Sequence, residues 1–399
     1  MASGPLDGVR VFDMTLFMVG PWASMQLGAL GADVVHIEQP DIDWSTLGAG
    51  VPPTINGTSI GYIAWNMNKR ALSLDMKVEE YRQRAYEVLK TCDVFLVNFR
   101  PGVPERLGVG YEDVVKVNPN IVYCTVTGWG EEGPWEELPG ADTQVQYVTG
   151  FGSLNGPEGG PSEVYRHYTQ MDGTTGNYAA QAILMGLLAR ERTGKAQRIH
   201  LSMLRAGSAL QTARIQEYLV TGKLAEPIGH ASYAAAPDQA FLCEDQEWVA
   251  VSATSQGEWV ALCDAIGHPE LKEDERFKTN PDRVDHRHEL SAVLEPIFGA
   301  RGRDHWMFYL GRAGVPCGYQ MKWDVLRNHA QVTENNYMLE VETAGWGAVY
   351  TGGPPWELSN TPARWFGTPF PGMHDAEILA ELEERRAAQQ AAPAEQGSR

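Results

Sequence analysis

The chain has 399 residues, with 32 Lys and Arg against 51 Asp and Glu and a formal net charge of −19. That length exceeds the usual size of one hydrophobic core, so two domains are expected, and 43% hydrophobic residues with 12 Trp exclude disorder for most of the chain. The acidic balance argues against nucleic acid as the main partner, and any anionic ligand must be held by a local cluster of Lys and Arg.

The first 130 residues alternate strand and helix signals. Residues 9–14 (VRVFDM) read as a short apolar strand, and Pro21 suits the first turn of a helix that carries Trp22, Met25, Ala29 and Leu30 at helical spacing and stops at Gly31. A strand at 33–37, a helix at 81–89 and strands at 93–99 and 121–127 follow. Such alternation predicts a parallel sheet covered on both faces, with ligands at the carboxyl ends of its strands. The dinucleotide fingerprint G-x-G-x-x-G is missing after the first strand, where the chain reads TLFMVGPW, so a nicotinamide oxidoreductase loses its main support.

Residues 177–192 form the clearest helix, with Ala180, Ile183, Leu184, Leu187 and Leu188 as its apolar stripe. Past residue 222 a stretch rich in Gly, Pro and Ala leads to a second α+β segment, with strands near 240–243 and 248–252 and helices near 257–265, 287–298 and 303–313. From about 325 the chain becomes loop-rich, before a helix at 376–386 and a low-complexity tail. The domains expected are 1–222, 223–325 and a C-terminal part at 326–386 returning to the first, with 387–399 as a flexible tail.

Cys92, Cys124, Cys243, Cys263 and Cys317 are odd in number and widely spaced, and no metal-ligand spacing occurs, so neither a disulfide framework nor a metal site is expected. The first residues lack the pattern of a signal peptide, and no apolar run approaches a membrane span. A cytoplasmic protein with no membrane partner is the expectation. The segment Asp285-His286-Arg287-His288-Glu289 lacks HExxH spacing and reads as the solvated start of a helix; Cys317 reads as packing, and no GxSxG elbow appears.

Six segments in order, LDGVRVFDMT, GPWASMQLGALGADVVHIE, NMNKRALSLDMK, VNFRPGVPERLG, MDGTTGNYAAQAILMGLLARERTGKAQRIHLSML and AGVPCGYQMK, together resemble the class III CoA-transferases, the superfamily of formyl-CoA transferase, carnitine-CoA transferase and acyl-CoA racemase. The resemblance implies a Rossmann-like large domain built from N- and C-terminal parts, a smaller α+β domain and two interlocked chains, the partner being a second copy or a related chain. It also implies acyl-CoA and a free carboxylic acid as substrates, with no tightly bound cofactor. Asp172 matches the family's nucleophilic aspartate, although an Asp just before a helix is also a favoured N-cap, and Gly173 and Gly176 would leave room for a substrate. Met18, Val19, Leu74, Lys77, Asn98 and Arg106 match the family's CoA contacts, and Lys69, Arg70 and Arg100 would add charge nearby.

The chain departs from the family pattern at three places. Gln39 stands where the formyl-CoA enzyme carries a nucleotide-binding arginine. The stretch SYAAAPDQ (232–239) has alanines where that enzyme has a glycine-rich lid, pointing to a stiffer lid and a different acid. In PGADTQ, Ala141 replaces the histidine that the racemase branch uses for proton transfer, leaving His167 as the nearest substitute. CoA transfer through Asp172, with succinyl-CoA as a donor by analogy, is therefore the expected activity. Racemisation and a catalytically silent subunit of a heteromer are the alternatives. Richness in Trp, Met and Tyr hints at a bulky acid.

Overall fold

Short apolar runs such as VFLV and VYCTVT can bury both faces of a strand only in the middle of a covered parallel sheet. In the computed structural model, which describes residues 4–40, 43, 45–46, 50–167 and 169–391, they do so. Six strands lie in the spatial order Arg70–Ser73, Asp33–Glu38, Arg10–Met14, Val94–Val97, Val122–Thr127 and Gln197–Ser202, and every neighbouring pair is parallel. The chain thus builds outward from its first strand to one edge, then crosses back and builds to the other. The carboxyl ends of Arg10–Met14 and Val94–Val97 flank the point of reversal, where open α/β sheets leave a crevice.

Alternation along the strands sorts side chains to two cores. Val11, Val34, Val94, Leu96, Val122 and Cys124 pack on the helices Val19–Ala29 and Gln170–Thr193. Phe12, Val35, Phe95, Val97 and Tyr123 face the other way, onto Glu79–Leu89, Tyr111–Val117 and the C-terminal helix Asp375–Ala391 through Ile378 and Leu382.

Two compact units result. The first holds the described residues up to Phe151, Tyr165–Gln216 and those from Asn335 onward; the second holds Gly152–Val164 and Glu217–Glu334. The boundaries expected at 222 and 325 therefore move to 216 and 334, and the segment Gly152–Val164 joins the second unit. There the Gly229 N–H donates to the Gly156 carbonyl at 3.1 Å, and His288 lies 3.3 Å from Glu158. The expected start of the tail also moves. Ala and Gln extend the last helix to Ala391, and residues 392–399 lie outside those described.

In the second unit a three-stranded antiparallel sheet of Cys317–Tyr319, Trp248–Ser252 and Asp238–Leu242 packs Phe241, Val249 and Val251 against Trp259, Phe298 and Trp306. The segment read as a lid is fastened within this unit. Asn280 bonds Ala236 N–H and the Ala234 carbonyl at 3.2 and 2.9 Å, and buried Arg283 donates to the Ala236 carbonyl at 2.6 Å.

Gly176 has a role other than leaving room for substrate. A Cβ there would come within 2.7 Å of the Val19 carbonyl and 2.9 Å of the Trp22 ring, so the two helices meet backbone to backbone at this glycine. Gly176→Ala is expected to destabilise the chain by about 1–3 kcal/mol through overpacking, measured as a lower urea midpoint with an unchanged m-value.

Candidate active site

One residue before its end the first strand carries a carboxylate with no exposed surface. Asp13 is fully buried and accepts hydrogen bonds from Thr15 Oγ1 at 2.5 Å and Ser24 Oγ at 2.6 Å, while His36 Nδ1 and Lys69 Nζ each stand 3.0 Å from it. Burial alone would raise its pKa; Lys69 and His36 outweigh that and hold the carboxyl well below the usual range. This cluster fixes the loop that leaves the strand. Asn98, just past the fourth strand, clamps the same loop from across the crevice: its Oδ1 accepts from the Leu16 N–H at 2.8 Å and its Nδ2 donates to the Leu16 carbonyl at 2.7 Å. Between these two anchors Phe17 takes φ 64°, a left-handed conformation that a bulky residue adopts only when its surroundings impose it.

Two cavities open at the strand ends and share Phe17 and Phe99 as walls. One, about 170 Å³, is lined by Gln39, Leu74, Lys77 and Leu107 among others. The other, about 530 Å³, is lined by Val19, Asn98, Arg100, Val126, Gly128, Gly140, Ala141 and Met203, and Asp172 opens into it. Asp172 is the groove's one acidic lining residue, and no histidine lines it among the described residues.

Asp172 lies inside the first turn of a helix that starts at Gln170, not ahead of a helix starting at 177, so the N-cap reading is corrected. The N-cap position belongs to Thr169. Polar residues in the opening turns (Asp172, Thr174, Thr175, Asn177) mask the apolar periodicity there. Burial, reinforced by the charge of Asp142, pushes the Asp172 carboxyl up to about 7.

The other sequence-predicted residues separate into groups. Val19 and Asn98 line the groove with Asp172, and Leu74 and Lys77 line the adjoining cavity. Asn98 spends both polar groups of its side chain on Leu16, so it shapes the loop. Met18 is buried with its sulfur 2.5 Å from the Thr169 hydroxyl, and Arg106 is exposed at the end of the short helix Val103–Arg106; neither lines the two cavities. Lys69 and Arg70 are corrections. The Lys69 ammonium is fully enclosed against Asp13, and Arg70 is paired with Asp33, Glu377 and Glu381 at the opposite ends of the strands. His167 is exposed and lines neither cavity. Among the described residues no group of three or more His, Cys, Asp or Glu is arranged to hold a metal, and no helix is long and apolar enough to cross a membrane.

The parallel sheet in Rossmann order, with a groove at its crevice into which Asp172 opens, defines an α/β protein with a candidate active site. The chain belongs to CoA-transferase family III, whose model matches residues 6–375, and it is a CoA-transferase of that family. It is 32% identical over 379 residues to the succinyl-CoA:glutarate CoA-transferase of Mus musculus, covering 95% of this chain and 86% of that one. It is 33% identical over 357 residues to the acetyl-CoA:oxalate CoA-transferase of Acetobacter aceti, covering 89% and 90%. A crystal structure of a CAIB/BAIF family protein from Brucella suis matches with a TM-score of 0.84 at 30% identity, over 95% of this chain and 100% of that one.

The raised Asp172 carboxyl has a stability consequence. Protonated Asp172 is the form the fold prefers, so its contribution is whole below pH 3.8 and is lost as the pH rises through about 7. Asp172→Asn is therefore expected to raise the melting temperature. Its advantage over the wild type should be absent near pH 3.5, grow through pH 4–7 and level off above, at no more than about 4 kcal/mol.

Proposed function

We propose that this enzyme moves CoA from an acyl-CoA donor to a free carboxylic acid through a covalent sequence on Asp172. The observation that carries this reading is the Asp172 carboxylate itself, the one acidic group lining a mainly apolar groove at the crevice of the sheet. In the sequence, a carboxylate oxygen attacks the thioester carbon and expels CoA as thiolate, leaving an aspartyl–acyl anhydride. The thiolate then attacks the aspartyl carbonyl to give an aspartyl-CoA thioester and the donor acid. The acceptor carboxylate repeats the exchange, and CoA leaves on the new acid. One thioester replaces another, so no nucleotide hydrolysis is needed. The apolar walls suit intermediates that water would destroy.

The cavities support CoA as the carrier. They adjoin at Phe17 and Phe99, so one elongated ligand can run from Lys77 and Gln39 past the loop to Asp172. Lys77, Arg100 and Arg106 make no ion pair among the described residues, whereas Lys69, Arg70, Arg10 and Arg190 are all tied to carboxylates. Free cations at this end are what a chain of charge −19 needs to hold a polyanion. The names of the relatives favour a dicarboxylic acid as acceptor, with succinyl-CoA as donor. Racemisation is disfavoured because Ala141 lines the groove and no histidine does. The helix Thr212–Thr221 buries none of its residues and exposes Leu219 and Val220, which favours an assembly with a second copy of the chain.

Incubation with a panel of acyl-CoAs without acceptor, followed by hydroxylamine trapping and peptide mass mapping, is expected to place an adduct on Asp172 that Asp172→Ala abolishes. Deuterium exchange next to the thioester carbonyl with no adduct would sink the transferase chemistry in favour of racemisation. CoA binding with neither outcome would favour a silent subunit. Arg100→Ala and Lys77→Ala should each raise KM for acyl-CoA by about three- to tenfold with kcat little changed, an effect that shrinks as salt is added.

A further inference from the structure

The helix Gln170–Thr193 begins without a cap of its own. The Thr169 side chain caps nothing, its hydroxyl being turned to the Met18 sulfur. First-turn N–H groups have no intrahelical acceptor, and leaving one buried and unpaired is costly. The acceptor comes from another element. Asp142, buried at the start of the helix Asp142–Val148, places Oδ2 2.7 Å from the Met171 nitrogen and 3.1 Å from the Asp172 nitrogen. Its Oδ1 accepts from the Gln146 side chain. Gln146 also bonds the N–H and carbonyl of Tyr165 at 2.9 and 3.1 Å, fixing the chain that leads into the long helix.

We propose that Asp142 is the positioning residue of this site: it caps the long helix from a neighbouring helix, holding Asp172 in the groove with a second carboxylate bonded to its backbone N–H. The inference rests on Asp172 being the nucleophile. Few charged groups face Asp172. The helix Asp142–Val148 presents Asp142 through its bond to the Asp172 N–H, the loop after the fourth strand presents Arg100, and Val126, Thr127 and Gly128 present none. Of the two other helices packed on the long one, Val19–Ala29 has no charged residue and Met203–Leu210 carries only Arg205, which does not line the groove. Of these groups, Asp142 is the one whose charge acts on Asp172, in the same direction as burial.

The chemistry gives that repulsion a use. When the Asp172 carboxylate bonds to the thioester carbon, the C–S bond breaks and its electron pair leaves on the CoA sulfur. Negative charge moves off Asp172 and away from Asp142, so the repulsion present in the resting site is released as the anhydride forms. The aspartyl thioester that follows is also uncharged at Asp172. Only the last step, which returns CoA to the new acid, restores two adjacent carboxylates.

Two substitutions separate the roles. Asp142→Asn keeps an oxygen for the two N–H donors and removes the charge, losing the Gln146 bond to Oδ1 as well; Asp142→Ala removes the oxygen, the charge and that bond. A 13C-carboxyl NMR titration of the full chain, with the Asp172 signal assigned by its loss in Asp172→Asn, reads the charge effect without turnover. In Asp142→Asn the Asp172 midpoint should fall by about one pH unit, and the trapped adduct at equilibrium should fall about tenfold relative to free enzyme. Asp142→Ala should lose kcat by about 10- to 100-fold, with Asp142→Asn recovering part of that loss. An Asp172 titration or an adduct level unchanged in Asp142→Asn would overturn the role of Asp142 while leaving Asp172 as nucleophile. A wild-type enzyme that forms no adduct would overturn the nucleophile reading, and the acylation bias with it.

Discussion

Everything at the crevice depends on the Asp13 carboxylate. It lies on the central strand, and its partners come from four directions: Thr15 in the outgoing loop, Ser24 on the first helix, His36 on the second strand and Lys69 just before the third. An ion pair taken wholly out of water contributes little net stability compared with apolar residues, but loss of one partner strands the other and costs about 3–5 kcal/mol. The cluster is therefore a device for uniqueness. It admits one arrangement of strand, helix and loop, and that arrangement forces Phe17 into a left-handed backbone where two cavities meet.

The parallel sheet also divides the charges by its polarity. At the amino ends of the strands, Arg10, Arg70 and Arg190 are neutralised by Asp33, Asp93, Glu377 and Glu381, in pairs of 2.6–3.1 Å. At the carboxyl ends, Lys77, Arg100 and Arg106 follow the third and fourth strands without carboxylate partners among the described residues. A strongly acidic chain can thus attract an anion at one end of one sheet. The same division explains why adjacent residues in NKR have roles unlike the ones their sequence suggests: Lys69 is turned inward to Asp13 and Arg70 outward to the acidic C-terminal helix.

What could be read from the sequence follows from locality. The four inner strands were legible because burial on both faces demands continuous apolar runs. The two edge strands, Arg70–Ser73 and Gln197–Ser202, were not, since each pairs on one side only; the first is just four residues long and opens on Arg70, and the second carries Gln197, Arg198 and His200. Asp172 was legible through its motif, yet its place within the helix was hidden by the polar residues of the opening turns. Asp142 stands beside Ala141 with no sequence signal of its role, because capping from a separate helix obeys no spacing rule. The hairpin of Met338–Thr343 and Gly347–Gly352 was lost in a stretch dense in Gly and Pro.

The groove's composition bears on which reactions it can run. Moving a proton at the carbon beside a thioester requires an acid and a base on opposite faces of that carbon, with protonation states suited to both. The groove offers a single titratable acid, with Ala141 and Gly140 along another wall. Nucleophilic exchange asks less: one carboxylate serves as attacking group and leaving group, and no proton must move when carboxylate is traded for thiolate. What exchange does require is that free carboxylate and acyl form be close in energy, or one half-reaction stalls. A carboxylate in water is too well solvated to meet that condition. Burial and a neighbouring negative charge, the two causes that raise Asp172 toward neutrality, both act on the free carboxylate and would spare the neutral acyl form of the proposed sequence, which narrows the gap from the right side.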